Sequence, residues 1–280
     1  MQKILVVLDG MNPAFKVMDF VCYLGGLTKS AITGMFLNIS EKQNLKILNS
    51  IFDQASPGGI PASETETPAG RLAKIQDNIT RFKEACCRRE VNCEVNCYTG
   101  IALEDLIRES EYADLIILDA ETSFGKKKEG SPTSFVKALL KRSDCPVILA
   151  PDNFEGIDEI IYFSDARPTS FYAIKQFHYL FSELRNKKMI LVAVRDAPGE
   201  ISAASKRVQD WFEKHFSNTE YLTLYGDPKV KLLEFLIPHK NAIVVMGAYG
   251  HANLSNIFKE SVAEMILKTI DLPVFISHFL

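Results

Sequence analysis

Short apolar runs alternate with longer amphipathic segments along the whole chain. The short runs are rich in Val, Ile and Leu, which is typical of buried strands, and the longer segments carry apolar residues at helical spacing. This pattern predicts strands at 3–8, 31–39, 92–98, 115–118, 147–150, 160–163, 189–194, 220–224, 243–246 and 274–276. It predicts helices at 13–25, 69–89, 102–109, 134–141, 170–184, 203–215, 229–237 and 261–268. Regular strand–helix alternation indicates parallel sheets with helices on both faces.

The first predicted helix carries a recognisable start signal. Asn12 is the expected N-cap, and Pro13 lies in the first turn, where its missing N–H is tolerated. Phe15, Met18 and Val21 then face the sheet at helical spacing.

The chain repeats one plan twice. The segment 115–149 is a degraded copy of 243–276, and the intervals from Ser134 to Pro146 and from Ser261 to Pro273 both span twelve positions. A repeat of this length predicts two copies of one supersecondary unit, each with its own sheet. The sequence therefore predicts two tandem doubly wound α/β domains, each with a five-stranded, mostly parallel sheet and flanking helices.

The repeat register also indicates where the two halves differ in length. Asp9 and Asp165 end the first strand of each half, and Gly100 and Gly226 precede corresponding later helices. The offset between the halves is larger at the aspartates than at the glycines, so the first half holds about thirty extra residues. The expected organisation is a first domain at 1–150 with an insertion at about 41–71, a linker at 151–158 and a second domain at 159–280.

Two interpretations of the insertion are open. Residues 41–52 have the pattern of an amphipathic helix, and 55–70 are rich in proline, glycine and small polar residues. The segment could be a lid over a pocket. It could equally be a surface insertion, because long loops are accommodated at low entropic cost.

Composition narrows the class of protein. The 280 residues are 47% hydrophobic and 24% charged, an ordinary balance for globular domains. A net charge of −3 and an isoelectric point near 6.0 disfavour nucleic acid and acidic membranes as partners. No apolar run approaches the length of a membrane span, and the first residues resemble a buried strand rather than a secretory signal. We expect a cytoplasmic protein.

All six cysteines fall in the first half, without the paired spacing of zinc sites. Reduced thiols that pack as small apolar side chains are the simpler interpretation. The alternative is a metal or redox cluster of Cys93 and Cys97, on one face of a strand, with neighbouring Cys86 and Cys87.

Candidate binding chemistry follows the strand at 243–246. Gly247 and Gly250 lie at its carboxyl end, where open α/β sheets place ligands and where glycines let backbone N–H groups approach phosphate oxygens. Ser261 begins the next predicted helix, so its hydroxyl and the helix N-terminus could receive the same anion. The structural alternatives are a plain turn at the glycines and an N-cap at Ser261.

These residues resemble the tandem universal stress protein family over nearly the whole chain. Nucleotide-binding members carry G-x2-G-x9-G-[S/T] after the fourth strand, and Gly247, Gly250 and Ser261 match it, whereas Glu260 stands where the third glycine belongs. SVAE at 261–264 and the proline-led last strands DLPVFI and DCPVIL extend the resemblance.

The resemblance implies an adenine nucleotide alpha hydrolase-like fold and an adenine-nucleotide site for ATP with Mg2+. It implies that Asp165 and backbone groups at Ala193 and Val194 contact the adenosine. It further implies that the last strand of each half pairs with the other, which would make the chain an intrachain pseudo-dimer.

The first half does not carry the same motif. Asp119 and Thr122 replace the two glycines, and Thr133 and Ser134 follow in place of the third glycine and the hydroxyl. A carboxylate there would repel phosphate oxygens, so we expect at most one nucleotide site, in the second half. For the same reason Asp165 is the expected functional aspartate, although Asp9 and Asp165 could both simply cap turns.

No catalytic motif is present: the sequence has no GxSxG elbow, no HExxH and no Walker lysine. We therefore expect a binding protein without a metal site rather than an enzyme, with slow ATP hydrolysis as the open alternative. Two functions are open. One is a stress-response protein with an altered ATP site; the other is a family member that has lost nucleotide binding and serves as an interaction or scaffold protein.

Overall fold

The computed structural model describes residues 1, 3–38, 67–99, 102–124, 130–247, 266 and 269–277. Its strands are β1 (Lys3–Asp9), β2 (Ala31–Asn38), β3 (Cys93–Thr99), β4 (Leu115–Asp119), β5 (Val147–Ala150), β6 (Glu159–Phe163), β7 (Lys188–Arg195), β8 (Thr219–Tyr225), β9 (Ala242–Gly247) and β10 (Val274–Ser277). Its helices are α1 (Met18–Thr28), α2 (Pro68–Cys87), α3 (Ala102–Ser110), α4 (Ser134–Arg142), α5 (Pro168–Leu180), α6 (Ala203–His215) and α7 (Pro228–Leu236). The 3₁₀ turns Phe15–Val17 and Ser182–Leu184 complete this part of the chain.

All ten strands join one sheet in the order β3-β2-β1-β4-β5-β10-β9-β6-β7-β8. Neighbouring strands are parallel within each half, and the single antiparallel pair is β5 with β10. Each half therefore contains five parallel strands in the same doubly wound order. The predicted fold class is confirmed.

Both faces of the sheet are buried, because successive strand residues point to opposite sides. In β1, Ile4, Val6 and Leu8 enter one apolar cluster, whereas Leu5 and Val7 enter the other. Side chains of α1, α2, α5 and α6 cover the first face, and those of α3, α4 and α7 cover the second. This two-sided burial explains why the strands are nearly continuous apolar runs.

The two halves meet at β5 and β10. Ile148 pairs with Phe275 at the centre of this ladder, and both side chains are fully buried. The connection after β5 is held from the other half, since the Asp271 carboxylate accepts the backbone N–H groups of Asp152 and Asn153. Phe154 packs its ring 5.1 Å from that of Phe20. The apolar clusters thus run across the junction without interruption.

The predicted start of the first helix is wrong. Asn12 is not an N-cap, because the Asp9 carboxylate accepts the N–H groups of Met11 and Asn12 and holds them in a tight turn. The chain enters the 3₁₀ turn at Phe15, and α1 begins only at Met18.

Two further boundaries differ from the prediction. The helix expected at 170–184 begins earlier, at Pro168, and is broken after Leu180 into a separate 3₁₀ turn. The insertion expected at 41–71 ends earlier, because α2 begins at Pro68 with Thr67 as its N-cap. The rest of the insertion, and therefore the lid hypothesis, lies outside the described residues, as does most of the helix expected at 261–268.

Within the described part of the chain, no helix combines the length and the apolar character needed to cross a membrane.

Candidate functional site

The turn after β6 is built around Asp165. One carboxylate oxygen, Oδ1, accepts the N–H of Arg167 at 3.0 Å and the hydroxyl of Ser170 at 2.8 Å. The other oxygen, Oδ2, lies 3.5 Å from Nε of Arg167. The Asp165 side chain remains partly accessible to solvent. It therefore caps the turn into α5 and also presents a carboxylate at the carboxyl end of β6.

Ala166, the next residue, has a left-handed backbone conformation. Its φ is 60°, and its N–H is held by the Ser164 hydroxyl oxygen at 3.2 Å. The other described non-glycine residues with positive φ, Lys29 and Glu90, follow the ends of helices, where this conformation is common. Ala166 instead lies in the loop before a helix. An L-residue with a Cβ is unfavourable there, and such strain is often found at binding sites.

Gly247 ends β9 directly against the first turn of α5. A Cβ added to Gly247 would lie 2.7 Å from the carbonyl oxygen of Thr169 and 2.8 Å from Cα of Ser170. These are backbone atoms, so they could not move aside without shifting the helix. The glycine is therefore required by packing alone. Because Ser170 also bonds Asp165, the first turn of α5 brings Asp165 and Gly247 together.

Val194 lies near the carboxyl end of β7, on the strand next to β6. The β6–β7 ladder extends to Phe163 and Val192, and the Ser164 N–H donates to the Val192 carbonyl oxygen at 3.0 Å. On its other side Val194 pairs with Leu224 of β8. Within the described residues, Val194 has no strand partner toward β6, so its backbone groups extend past the end of that strand.

A small pocket opens beside this strand end. It is lined by Ser164, Ala193, Arg195, Ser205, Gln209 and Tyr221. The Arg195 side chain bonds the Glu200 carbonyl oxygen at 3.1 Å, which fixes a positive charge at the rim.

The remaining predicted site residues lie outside the described part of the chain. This applies to Gly250, Ser261 and Glu260, and to His251 and Lys259 in the same loop. The structure therefore brings together Asp165 and Gly247, and places Val194 on the neighbouring strand.

The first half has a closed arrangement at the corresponding place. Asp119, the counterpart of Gly247, is buried, and its carboxylate lies 3.0 Å from Nζ of Lys16. The same ammonium group lies 2.6 Å from the carboxylate of Asp152, which follows β5. Burial disfavours the charged Lys16, but hydrogen bonds to Asp152 and Asp119 outweigh burial and raise the pKa of Lys16 above its usual range.

Two threonines close the same region. The Thr133 hydroxyl donates to the Thr122 carbonyl oxygen, and the Thr133 N–H donates to the carbonyl oxygen of Ala120 at 3.1 Å. Both threonines are buried. The Thr133 N–H is thus engaged within the protein, while the absence of a nucleotide site in this half stays a prediction.

Asp9 repeats the turn of Asp165 in a less accessible setting. Burial raises the pKa of Asp9 above its ordinary value, against the opposing effect of its bonds to Met11 and Asn12. Asp9 is therefore the less accessible of the two aspartates.

Ser170, Ala166 and Arg195 contribute to the site and were not predicted from the sequence. A serine in the first turn of a helix signals a cap, and only the folded loop shows that its hydroxyl bonds Asp165. The conformation of Ala166 has no sequence signal at all, since alanine rarely adopts positive φ.

The alternative interpretation of the cysteines, a cluster of Cys93 and Cys97 with Cys86 and Cys87, is met only in part. Cys86 lies next to Cys93, but Cys87 and Cys97 are exposed, and the thiol of Cys86 also contacts Cys22. Among the described residues, no group of three His, Cys, Asp or Glu side chains is arranged to hold a metal ion.

Comparison with known proteins identifies relatives at the level of structure. A universal stress protein from Archaeoglobus fulgidus DSM 4304 matches with a TM-score of 0.73 and 14% identity, over 99% of this chain and 98% of that chain. A functionally unknown protein from Pseudomonas aeruginosa PAO1 matches with a TM-score of 0.62 and 15% identity, over 99% of this chain and 93% of that chain. No protein-family model and no curated protein matches the sequence. The chain therefore has the fold of a tandem universal stress protein over nearly its whole length, as the motifs predicted.

Proposed function

We propose that this chain is a tandem universal stress protein that binds one adenine nucleotide, ATP with Mg2+, at the carboxyl end of the sheet in its second half. In this proposal the protein acts in the cytoplasm in a stress response, by binding the nucleotide and without catalytic turnover. The observation that carries the proposal is the convergence of Asp165 and Gly247 on the first turn of α5.

The sheet order supports this location. In the second half β6 and β9 are neighbours, and the chain leaves them toward opposite faces of the sheet. Open α/β sheets bind ligands in the crevice at such a switch point, outside the carboxyl ends of the strands. Asp165 follows β6 and Gly247 ends β9, so both lie at this crevice.

The local charges are also suited to an anionic nucleotide. Arg167 lies in the turn beside Asp165, and Arg195 lies at the rim of the neighbouring pocket. The guanidinium group is the side chain best matched to phosphate oxygens. In the first half, by contrast, a buried carboxylate, that of Asp119, stands at the position of Gly247 and is already paired with Lys16. One nucleotide per chain follows from this difference.

Calorimetric titration of the full chain with ATP and Mg2+ tests the proposal. We expect about one site per chain, and we expect Asp165→Asn to weaken binding by roughly tenfold because a charged hydrogen-bond acceptor is lost. Asp9→Asn is the matched control, since it alters the same type of turn in the half without a site. Equal losses in both variants would contradict a site at Asp165.

A second variant examines the residue that departs from the family motif. Glu260→Gly removes a carboxylate beside the expected triphosphate, so binding of MgATP should strengthen by roughly tenfold. If neither the natural chain nor Glu260→Gly takes up MgATP, the nucleotide proposal is wrong.

The second candidate function is an interaction or scaffold protein that no longer binds nucleotide. It is favoured by the hydrogen bonds of Asp165, because its Oδ1 already accepts two of them from within the turn and so has less capacity to bind a ligand. Binding that appears only in Glu260→Gly would support this candidate, because it would mean that the natural chain has lost the site.

A further inference from the structure

Three cysteines from different elements meet under the edge of the sheet in the first half. Cys22 lies in α1, Cys86 in the last turn of α2, and Cys93 is the first residue of β3. Hydrogen bonding to the Cys22 thiol, burial and the nearby Cys93 thiol together raise the pKa of the Cys86 thiol above its ordinary value, which places Cys86 close to both. Cys22 also approaches the α2 backbone directly, with its sulfur 4.0 Å from the carbonyl oxygen of Ala85.

The three thiols differ in their access to solvent. Cys22 and Cys86 are buried within one apolar cluster, whereas Cys93 is only partly buried at its margin. The order Cys93, Cys86, Cys22 is therefore a path from the solvent to the core. Cys87 and Cys97 are exposed and Cys145 packs in the cluster on the opposite face, so none of them belongs to this path.

We propose that Cys93, Cys86 and Cys22 form a peroxide-sensitive thiol relay that ends in a buried Cys22–Cys86 disulfide. This modification site is independent of the nucleotide site, which lies in the other half. A relay is needed because a buried thiol reacts slowly with an oxidant in solution, whereas an accessible thiol can react first and pass the oxidation inward.

The steps balance with hydrogen peroxide as the oxidant. The Cys93 thiolate attacks one peroxide oxygen, the O–O bond breaks, and Cys93 becomes a sulfenic acid while hydroxide leaves and is protonated to water. The Cys86 sulfur then attacks the Cys93 sulfur, the S–O bond breaks, and a second water carries away the Cys86 proton. Cys22 attacks Cys86, forms the final disulfide and releases the Cys93 thiolate, which recovers its proton from Cys22.

The surroundings of Cys22 favour the last step. The hydrogen bond from Cys86 lowers the pKa of the Cys22 thiol, and the guanidinium group of Arg89 nearby lowers it further, against the opposing effects of burial and Asp19. Arg89 is held in place by bonds to the Asp19 carboxylate and the Ala85 carbonyl oxygen. Once Cys86 is part of a disulfide it has no S–H to donate, so in the last step the Arg89 guanidinium group is what favours the attacking Cys22 thiolate.

The test is peptide mapping of the reduced full chain after treatment with hydrogen peroxide and alkylation of the remaining thiols. We expect a monomer that is two hydrogen atoms lighter and contains a Cys22–Cys86 cross-link. Cys22→Ser should stop the relay at a Cys86–Cys93 disulfide, and Cys93→Ser should slow oxidation of Cys86 by roughly tenfold or more. Cys97→Ser is the matched control on the same strand and should behave as the natural chain does.

Mapping of the natural chain needs no variant, so the proposal stays testable if a substitution prevents folding. A cross-link that involves Cys87, Cys97 or Cys145, a disulfide between two chains, or over-oxidised Cys93 without any disulfide would overturn it.

Discussion

Gly247 shows at the scale of one residue how a binding motif and a packing requirement can coincide. Glycines after the fourth strand are expected where a phosphate approaches the backbone. The structure adds that the carbonyl oxygen of Thr169 and the Cα of Ser170 already occupy the space of a side chain at this position. A glycine here is consequently weak support for a ligand by itself, and its stability effect is separable from its binding effect.

We expect Gly247→Ala to lower the free energy of unfolding by about 1–3 kcal/mol, because the added methyl group overlaps with helix backbone. Urea denaturation measures this loss without any nucleotide present. Gly26→Ala is the matched control: Gly26 lies in α1 with no atom within 4 Å of the added carbon, so it should stabilise the protein by up to about 1 kcal/mol. If Gly247→Ala leaves the free energy of unfolding unchanged, α5 can move away from the added methyl group.

At the scale of elements, the interface between α5 and α6 contains a histidine that resists protonation. The rings of Trp211 and Phe216 lie 5.4 and 5.1 Å from that of His178, centroid to centroid. Burial lowers the pKa of His178 below its ordinary value, and nearby His215 and Arg185 lower it further. The unfolded chain therefore binds a proton at higher pH than the folded chain does.

This difference gives a pH dependence with a definite sign. The contribution of neutral His178 to the free energy of unfolding is fully present above the unfolded pKa of about 6.5. It is lost as the pH falls through that value toward the lower pKa of the folded protein. We expect His178→Gln to show a smaller fall in unfolding free energy between about pH 7.5 and pH 5.5 than the natural chain does. Urea denaturation at several pH values measures the free energy of unfolding. If that free energy falls equally with pH in the natural chain and in His178→Gln, this account is wrong.

The elements also show which features a sequence determines locally. The strands were predicted to within one residue at either end, because two-sided burial makes them unmistakable apolar runs. The start of α1 was predicted wrongly, because the Asp9 carboxylate holds the N–H groups of Met11 and Asn12 and delays the helix. Local capping rules cannot anticipate a competing acceptor at the end of the preceding strand.

Some residues of the candidate site could likewise be predicted from local sequence patterns, and others could not. Asp165 and Gly247 were predicted because a strand end followed by an aspartate or a glycine is a local pattern. Ser170 and the strained Ala166 were not, because their roles depend on where α5 docks against β9. The pocket beside the end of β7 likewise requires Ser164, which follows β6, together with side chains from β7, β8 and α6, which no local pattern relates.

At the scale of the whole molecule, the ten-stranded sheet makes the two halves one packed body. The β5–β10 ladder, the fully buried Ile148 and Phe275, and the anchoring of the connection by Asp271 all cross the junction. Since the apolar clusters on both faces are also continuous, separating the halves would expose core residues of each.

We therefore expect the halves to unfold in one cooperative transition, although each contributes its own five parallel strands to the sheet. Trp211, the single tryptophan, reports on the second half through its fluorescence, whereas far-UV circular dichroism reports on both. Leu24→Ala empties a fully buried position in α1 of the first half and should cost about 2–5 kcal/mol. If the halves are coupled, the Trp211 transition shifts to lower urea together with the dichroism.

Leu72→Ala is the matched control, because Leu72 is 64% exposed in α2 and its truncation should leave both transitions in place. A Trp211 transition that stays fixed while the dichroism of Leu24→Ala splits into two steps would show independent halves. In that case the β5–β10 ladder would contribute less than the cores on either side. Coincident shifts would instead mean that destabilising the first half also destabilises the second half, which contains the candidate nucleotide site.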